Sequence, residues 1–250
     1  MDRYKETFET WNTIASLYQD KFMDLDIYNE TYSIVCHSII KKNAALLDIG
    51  CGPGNITKYL LSTRPDFDIV GIDIAPNMIE LAKKNNPTAN FAIMDIRHID
   101  KITIKYDGVI CGFCLPYLSH TDSHKFINDC YNLLNDDGLL YISFVEGDPC
   151  TSGFQVGSIG HRSYFYFYNL NDITSQLAEN NFDDLRIMNV EYKRNATDIE
   201  IHTIIIAKKK RQINCCHISI IHDHIVLLLF LFCTIKCFRI KDIKNLRKKQ

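Results

Sequence analysis

The most constraining feature of the chain is a glycine-rich turn, Asp48-Ile-Gly50-Cys51-Gly52-Pro53-Gly54-Asn55. It follows Ala44-Ala-Leu-Leu47, an apolar run of buried-strand type, and it opens a helix near Asn55. Glycine lets a backbone turn sharply there and lets a ligand approach with no Cβ in the way. Twenty-three residues after Gly50, Asp73 ends the next strand, Asp68 to Asp73. A carboxylate at that place accepts hydrogen bonds from both hydroxyls of a ribose. The two features together point to a nucleoside-containing cofactor at the carboxyl edge of a sheet. A P-loop is excluded, because no Gly-Lys-Ser/Thr follows the turn. The dinucleotide fingerprint G-x-G-x-x-G asks for glycine at 55, where this chain has Asn55, so an NAD-linked oxidoreductase is disfavoured.

Strand, turn and helix then alternate along the chain. Residues 1–40 read as a helical cover, from Phe8 to Tyr18 and again from Tyr28 to Ile40. Pro76 suits the first turn of a helix running to Lys84. Ala89 to Met94 and Tyr106 to Cys111 read as strands. Asp122 to Leu134 reads as a helix ended by the turn Asn135-Asp-Asp-Gly138, with a fifth strand from Leu139 to Val145. Gly147 to Gly160 reads as a loop, Leu170 to Asn180 as a helix, and Leu185 to Lys193 with Ile199 to Ala207 as a hairpin turning at 194–198. Such alternation implies an α/β fold, a parallel sheet with helices on both faces.

In order and at these spacings, the turn, Asp73, Met94-Asp95-Ile96 and the strand Tyr106-Asp-Gly-Val-Ile-Cys111 resemble the class I S-adenosylmethionine-dependent methyltransferases. The resemblance spans roughly residues 1–208, nearest to small single-domain enzymes of bacterial type. It implies a Rossmann-like, seven-stranded, mostly parallel sheet whose last strand, in the 185–207 hairpin, is antiparallel. It also implies that S-adenosylmethionine is the cofactor. The turn from Gly50 through Cys51 and Gly52 to Gly54 would lie against its methionine part, with Asp48 near the amino group. Asp73, followed by Ile74, would hold the ribose. Asp95 would accept from the adenine amino group, Ile96 would pack on the ring, and the Cys111 carbonyl would take the methionine ammonium.

Methyl transfer from a sulfonium is a direct displacement. It needs alignment and exclusion of water, with a base only where the acceptor is protonated. A small-molecule acceptor fits best. Enzymes that methylate exocyclic amino groups of nucleic acids carry Asn/Asp-Pro-Pro-Tyr after the fourth strand, whereas this chain has Cys111-Gly-Phe-Cys114-Leu-Pro116-Tyr117. The Pro149-Cys150 pair follows the fifth strand, not the fourth as in cytosine C5 enzymes. Nucleic acid is also disfavoured by charge, since residues 1–210 carry −8. Trp11, Tyr18, Phe113, Tyr117, His161 and Tyr166 are the expected pocket residues, with His120 and Tyr117 as candidates for catalysis. No cluster in this part has metal-ligand spacing, so no metal is expected. The alternative is a non-catalytic cofactor-binding module tethered through its tail.

That tail, residues 211–250, carries +6 and an apolar segment from Ile218 to Phe238. Its uninterrupted apolar core, Ile225 to Ile235, is too short for a span of about 20 residues. Docking on a membrane surface or a partner is the weaker option, an accessory role the simpler one. Ten cysteines without disulfide-type spacing, and a polar start, suggest reduced thiols and a cytoplasmic location.

Overall fold

Five runs become parallel strands. They are β1 (Ala45–Ile49), β2 (Asp68–Asp73), β3 (Asn90–Ile93), β4 (Tyr106–Cys111) and β5 (Leu134–Val145). All but the edge strand β3, which buries only Phe91, are covered along most of both faces. Leu46 and Leu47 are both fully buried, yet they belong to different clusters, because successive side chains of a strand leave on opposite faces. The computed structural model describes residues 2–157, 160–193 and 199–211, and the unit they build ends at Lys210. The hairpin turn at 194–198 and the apolar segment from Ile218 to Phe238 lie outside the described residues.

Helices α1 (Arg3–Thr13), α2 (Ala15–Phe22) and α3 (Asn29–Ser38) precede the sheet. Helices α4 (Asn55–Thr63), α5 (Pro76–Asn85) and α6 (His120–Leu133) follow β1, β2 and β4. One core packs α6 and α7 (Leu170–Glu179) against the sheet around Phe126, Ile127 and Ile173. The other packs α3 and α4 around Tyr32, Val35, Leu60 and Tyr141.

The long hairpin β8 (Phe182–Lys193) and β9 (Ile199–Lys209) completes the sheet in the order β3-β2-β1-β4-β5-β9-β8. Within this sheet the six other described strands run one way and β9 runs opposite to them, so the last strand in the chain is antiparallel, as expected. The order reverses between β1 and β4, and that switch point opens a crevice at the carboxyl ends of the strands.

Two elements differ from the sequence reading. The turn at 135–138 does not precede β5 but lies inside it, with Asp137 at φ +60° and a register shift against β4. The sheet absorbs the extra residues as a bulge. The glycine-rich stretch after Gly147 is not all loop: β6 (Gly153–Val156) pairs with β7 (Arg162–Phe165) as a separate two-stranded sheet. Glycine density masks the short alternation of Gly153-Phe-Gln-Val156. This ribbon is tied to α1, where Thr10 Oγ1 donates to the Arg162 carbonyl (2.6 Å) and Thr7 Oγ1 accepts from the Tyr164 amide (2.9 Å). A Glu6–Arg162 ion pair closes the same seam.

Candidate active site

A cavity of about 360 Å³ opens at the switch point. One end of it is the glycine turn, whose glycines serve different purposes. A Cβ at Gly50 would collide with Cys114 Sγ, and one at Gly54 with Asn86 Nδ2, so these two glycines allow close packing within the protein. Gly52, at φ +53°, is different: a Cβ there would meet nothing nearer than Tyr18 Cε1, at 3.6 Å. Gly52 is therefore the glycine of the turn whose backbone stands open to the cavity.

Asp73 is fastened to the turn. Its Oδ2 accepts from the Gly52 amide (3.0 Å) and its Oδ1 from the Ala75 amide (2.8 Å). Each oxygen keeps a lone pair for a hydroxyl. Burial pushes its carboxyl pKa up against these amide bonds. Beneath the turn, Asp48 Oδ2 accepts from Thr57 Oγ1 (2.6 Å), while its buried Oδ1 has no partner. Burial raises Asp48 to about 6, helped by the nearby Asp73 and opposed by the Thr57 bond. An orphaned carboxylate oxygen leaves an uncompensated negative potential, which a cation beside the turn would relieve.

Asp95 and Ile96 line the same end of the cavity, as do Cys51 and Ile74. Asp95 is already engaged, accepting from the Arg97 backbone amide (2.9 Å) and from its guanidinium (Nε at 3.0 Å). Burial alone would raise its pKa, but the Arg97 bonds and charge outweigh that and hold it low. The Arg97 guanidinium lies 4.1 Å over the Tyr4 ring and so roofs this corner.

Rings wall the rest of the cavity, beginning with Tyr18 beside the glycine turn. Trp11 meets Tyr18 (5.7 Å) and Tyr117 (5.4 Å), and Tyr117 meets Phe165 (5.9 Å), all edge-on. Trp11 Nε1 is buried without a partner. Phe113 sits at φ +57°, a strained position for an aromatic residue. Its amide donates to Ser143 Oγ (3.0 Å), and its ring packs on Tyr28 (5.3 Å) and His202 (4.8 Å). Trp11, Tyr18, Phe113 and Tyr117 all line this cavity.

Other expected residues do not reach the cavity. His120 is exposed at the start of α6, with its ring against Tyr168 (4.7 Å). His161 is exposed just before β7. Tyr166 is buried in the core, and two residues earlier along the aromatic run Tyr164 packs on its ring (4.7 Å), while Phe165 between them faces the cavity. Alternation along this run selects Phe165 and rejects Tyr166. Gly54 packs against α5, and Asp48 lies under the turn. Cys111 is fully buried, and the residues that follow it, Gly112 to Cys114, line the cavity instead. Sequence reasoning missed His202. It lines the cavity with Tyr28, Tyr192 and Glu200, and the signal was Glu200-Ile201-His202, whose alternation puts the acid and the imidazole on one face of a strand.

Among the described residues no group of three or more His, Cys, Asp or Glu is placed to hold a metal ion, and no helix is long and apolar enough to cross a membrane.

Residues 46–138 match the family model described as a methyltransferase domain. A protein of invertebrate iridescent virus 6, methyltransferase 235L by name, is 32% identical over 136 residues, covering 54% of this chain and 49% of that protein. A malonyl-[acyl-carrier protein] O-methyltransferase of Acetivibrio thermocellus is 38% identical over 126 residues, covering 50% of this chain and 41% of the relative. The matches therefore span about half the length of these curated relatives or less. The solved structure of a magnesium protoporphyrin IX methyltransferase from Synechocystis PCC 6803 with bound S-adenosylmethionine superposes with a TM-score of 0.62 at 17% identity, over 84% of this chain and 98% of that one. Residues 46–138 thus match a methyltransferase domain, and the fold is that of the class I S-adenosylmethionine-dependent methyltransferases.

Proposed function

We propose that the chain is an S-adenosylmethionine-dependent methyltransferase acting on a small molecule. One observation carries this reading: a single cavity runs from the ligand-facing Gly52 and the ribose-type carboxylate Asp73 to an aromatic chamber roofed by α1 and α2. Its volume is within the range of small-molecule sites, roughly 300–1,000 Å³. When bound, the cofactor supplies an electrophilic methyl group on a positively charged sulfur.

The chain's residues do the rest. Gly52 admits the ligand to the turn, and the Asp73 carboxylate receives the ribose hydroxyls. The uncompensated charge of Asp48 favours the cationic amino group, while Asp95 and Ile96 frame the adenine. Arg97 shares Asp95, so an adenine amino group there joins an existing carboxylate–guanidinium pair. The rings of Trp11, Tyr18 and Tyr117 exclude water, which leaves the acceptor as the available nucleophile. Docking through the tail, a cytoplasmic location and the exclusion of nucleic acid stay as the sequence suggests them.

Calorimetric titration of the full chain with S-adenosylhomocysteine, and with NADH as control, tests the reading. One-to-one binding of the former alone is the expected outcome. Binding of NADH instead would overturn it. Binding without methyl transfer to any acceptor would favour the cofactor-binding module.

A further inference from the structure

We propose that Tyr28, His202 and Glu200 form a proton relay for an acceptor of phenol type, a flat aromatic ring bearing a hydroxyl group. The inference rests on the methyltransferase reading and deepens it. Tyr28 Oη lies 2.6 Å from His202 Nδ1, and His202 Nε2 lies 3.4 Å from Glu200 Oε2. With its Nε2 proton turned toward the carboxylate, the imidazole presents the Nδ1 lone pair to the tyrosine hydroxyl. The Tyr28 oxygen keeps lone pairs for a hydrogen bond from the acceptor.

The surroundings fix the imidazole in place. The Tyr192 ring stacks on it at 5.0 Å and 16°, the Tyr28 ring lies parallel at 6.0 Å, and Phe113 meets its edge. Among the described residues, the groups that titrate or carry charge around this corner include Tyr28 ahead of α3, Tyr18 and Lys21 of α2, Tyr141 on β5, Tyr192 on β8, and Glu200 beside His202 on β9, with the Lys21 ammonium 5.7 Å from the Tyr192 ring. Burial pushes the Tyr28 hydroxyl pKa well up, so it acts as a conduit and not as a standing anion. Among the described histidines, His202 alone lines the cavity.

The acceptor class follows from when a base is needed. A carboxylate is already ionised near neutral pH, and a neutral amine attacks through its lone pair. A phenol, with a pKa of about 10, is almost wholly protonated, so removal of its proton accelerates the reaction. Aromatic walls also favour a flat ring. As the acceptor O–H bond breaks, its oxygen pair forms the new O–C bond and the methyl–sulfur bond cleaves, its electron pair staying on sulfur. The acceptor proton passes to the Tyr28 oxygen while the tyrosine proton moves to His202 Nδ1. The resulting imidazolium is stabilised by Glu200.

The test measures transfer of labelled methyl groups from S-adenosylmethionine to unsubstituted phenol and to 4-nitrophenol, which is largely ionised in mildly alkaline buffer. His202→Asn and Tyr28→Phe should each lose about 10²- to 10⁴-fold on phenol and less than about tenfold on 4-nitrophenol. Their affinity for S-adenosylhomocysteine should stay within about twofold. Tyr28→Phe removes a single oxygen, so it reads the relay even if His202→Asn does not fold. Equal losses on both phenols, or no loss on either, would overturn the relay. So would a wild type that binds S-adenosylhomocysteine yet methylates neither phenol. Failure of the wild type to bind S-adenosylhomocysteine would instead remove the underlying reading and the relay with it.

Discussion

The two ends of the cavity are built in different ways. The glycine end is made mostly of backbone, and its parts are near in sequence: Gly52 and Asp73 are 21 residues apart and joined by one hydrogen bond. The aromatic end is made of side chains from α1, α2, the segment ahead of α3, the segment after β4, β7 and the β8–β9 hairpin. Its central bond, Tyr28 to His202, spans 174 residues. A backbone cradle suits a ligand whose shape is fixed. A wall of side chains can change its occupant by substitution without disturbing the sheet. Predictions that break one end should therefore leave the other intact.

The largest effect is expected at Gly52. Valine there would push a branched Cβ into the cavity and would strain a backbone held at φ +53°. Gly52→Val should abolish S-adenosylhomocysteine binding in calorimetry while circular dichroism shows the fold retained. Binding at wild-type affinity would mean that the turn does not touch the ligand.

Asp48 tests the same end through pH. Its folded pKa, about 6, is above the model-peptide value of 3.8, so the folded protein favours the neutral acid. The stability contributed by this group is fully present below about pH 4 and lost as pH rises through about 6. At 1.36 kcal/mol per unit, the loss is up to about 3 kcal/mol. Asp48→Asn keeps an acceptor for Thr57 and has no proton to lose. Its melting temperature should exceed that of the wild type at neutral pH, with the gap closing toward pH 4, and its cofactor affinity should fall. A gap independent of pH would show that Asp48 is ionised throughout.

Asp73→Ala comes next. Charge-assisted hydrogen bonds to two hydroxyls are worth about 1.5–3 kcal/mol, so S-adenosylhomocysteine affinity should weaken about 10- to 150-fold. Unchanged affinity in a folded variant would detach Asp73 from the site.

These differences also explain what was legible in the sequence. β2 and β4 are bounded as expected, and the glycine turn and Asp73 sit together as expected, because each rests on local rules: apolar runs, turn chemistry and fixed spacing. Separating Gly52 from Gly50 and Gly54 required the neighbours Cys114 and Asn86, which come from other elements. His202 was hidden for the same reason. Its strand was visible, but nothing near it in the chain announces Tyr28 or Phe113. His120 stood out only because it lies just after β4, and strand-end position does not say which way a helix start faces.

The smallest effect sharpens that last point. His120→Ala removes an exposed ring that meets Tyr168 and, farther off, Tyr166, and a surface substitution of this kind changes stability by about 0.5 kcal/mol or less. Affinity for S-adenosylhomocysteine and methyl transfer to phenol should both stay within about twofold of wild type. A loss on phenol matching that of His202→Asn would place the acceptor against α6 instead of the β8–β9 hairpin. The aromatic chamber would then belong to the cofactor's roof, and the division of the cavity into two independently mutable ends would no longer hold.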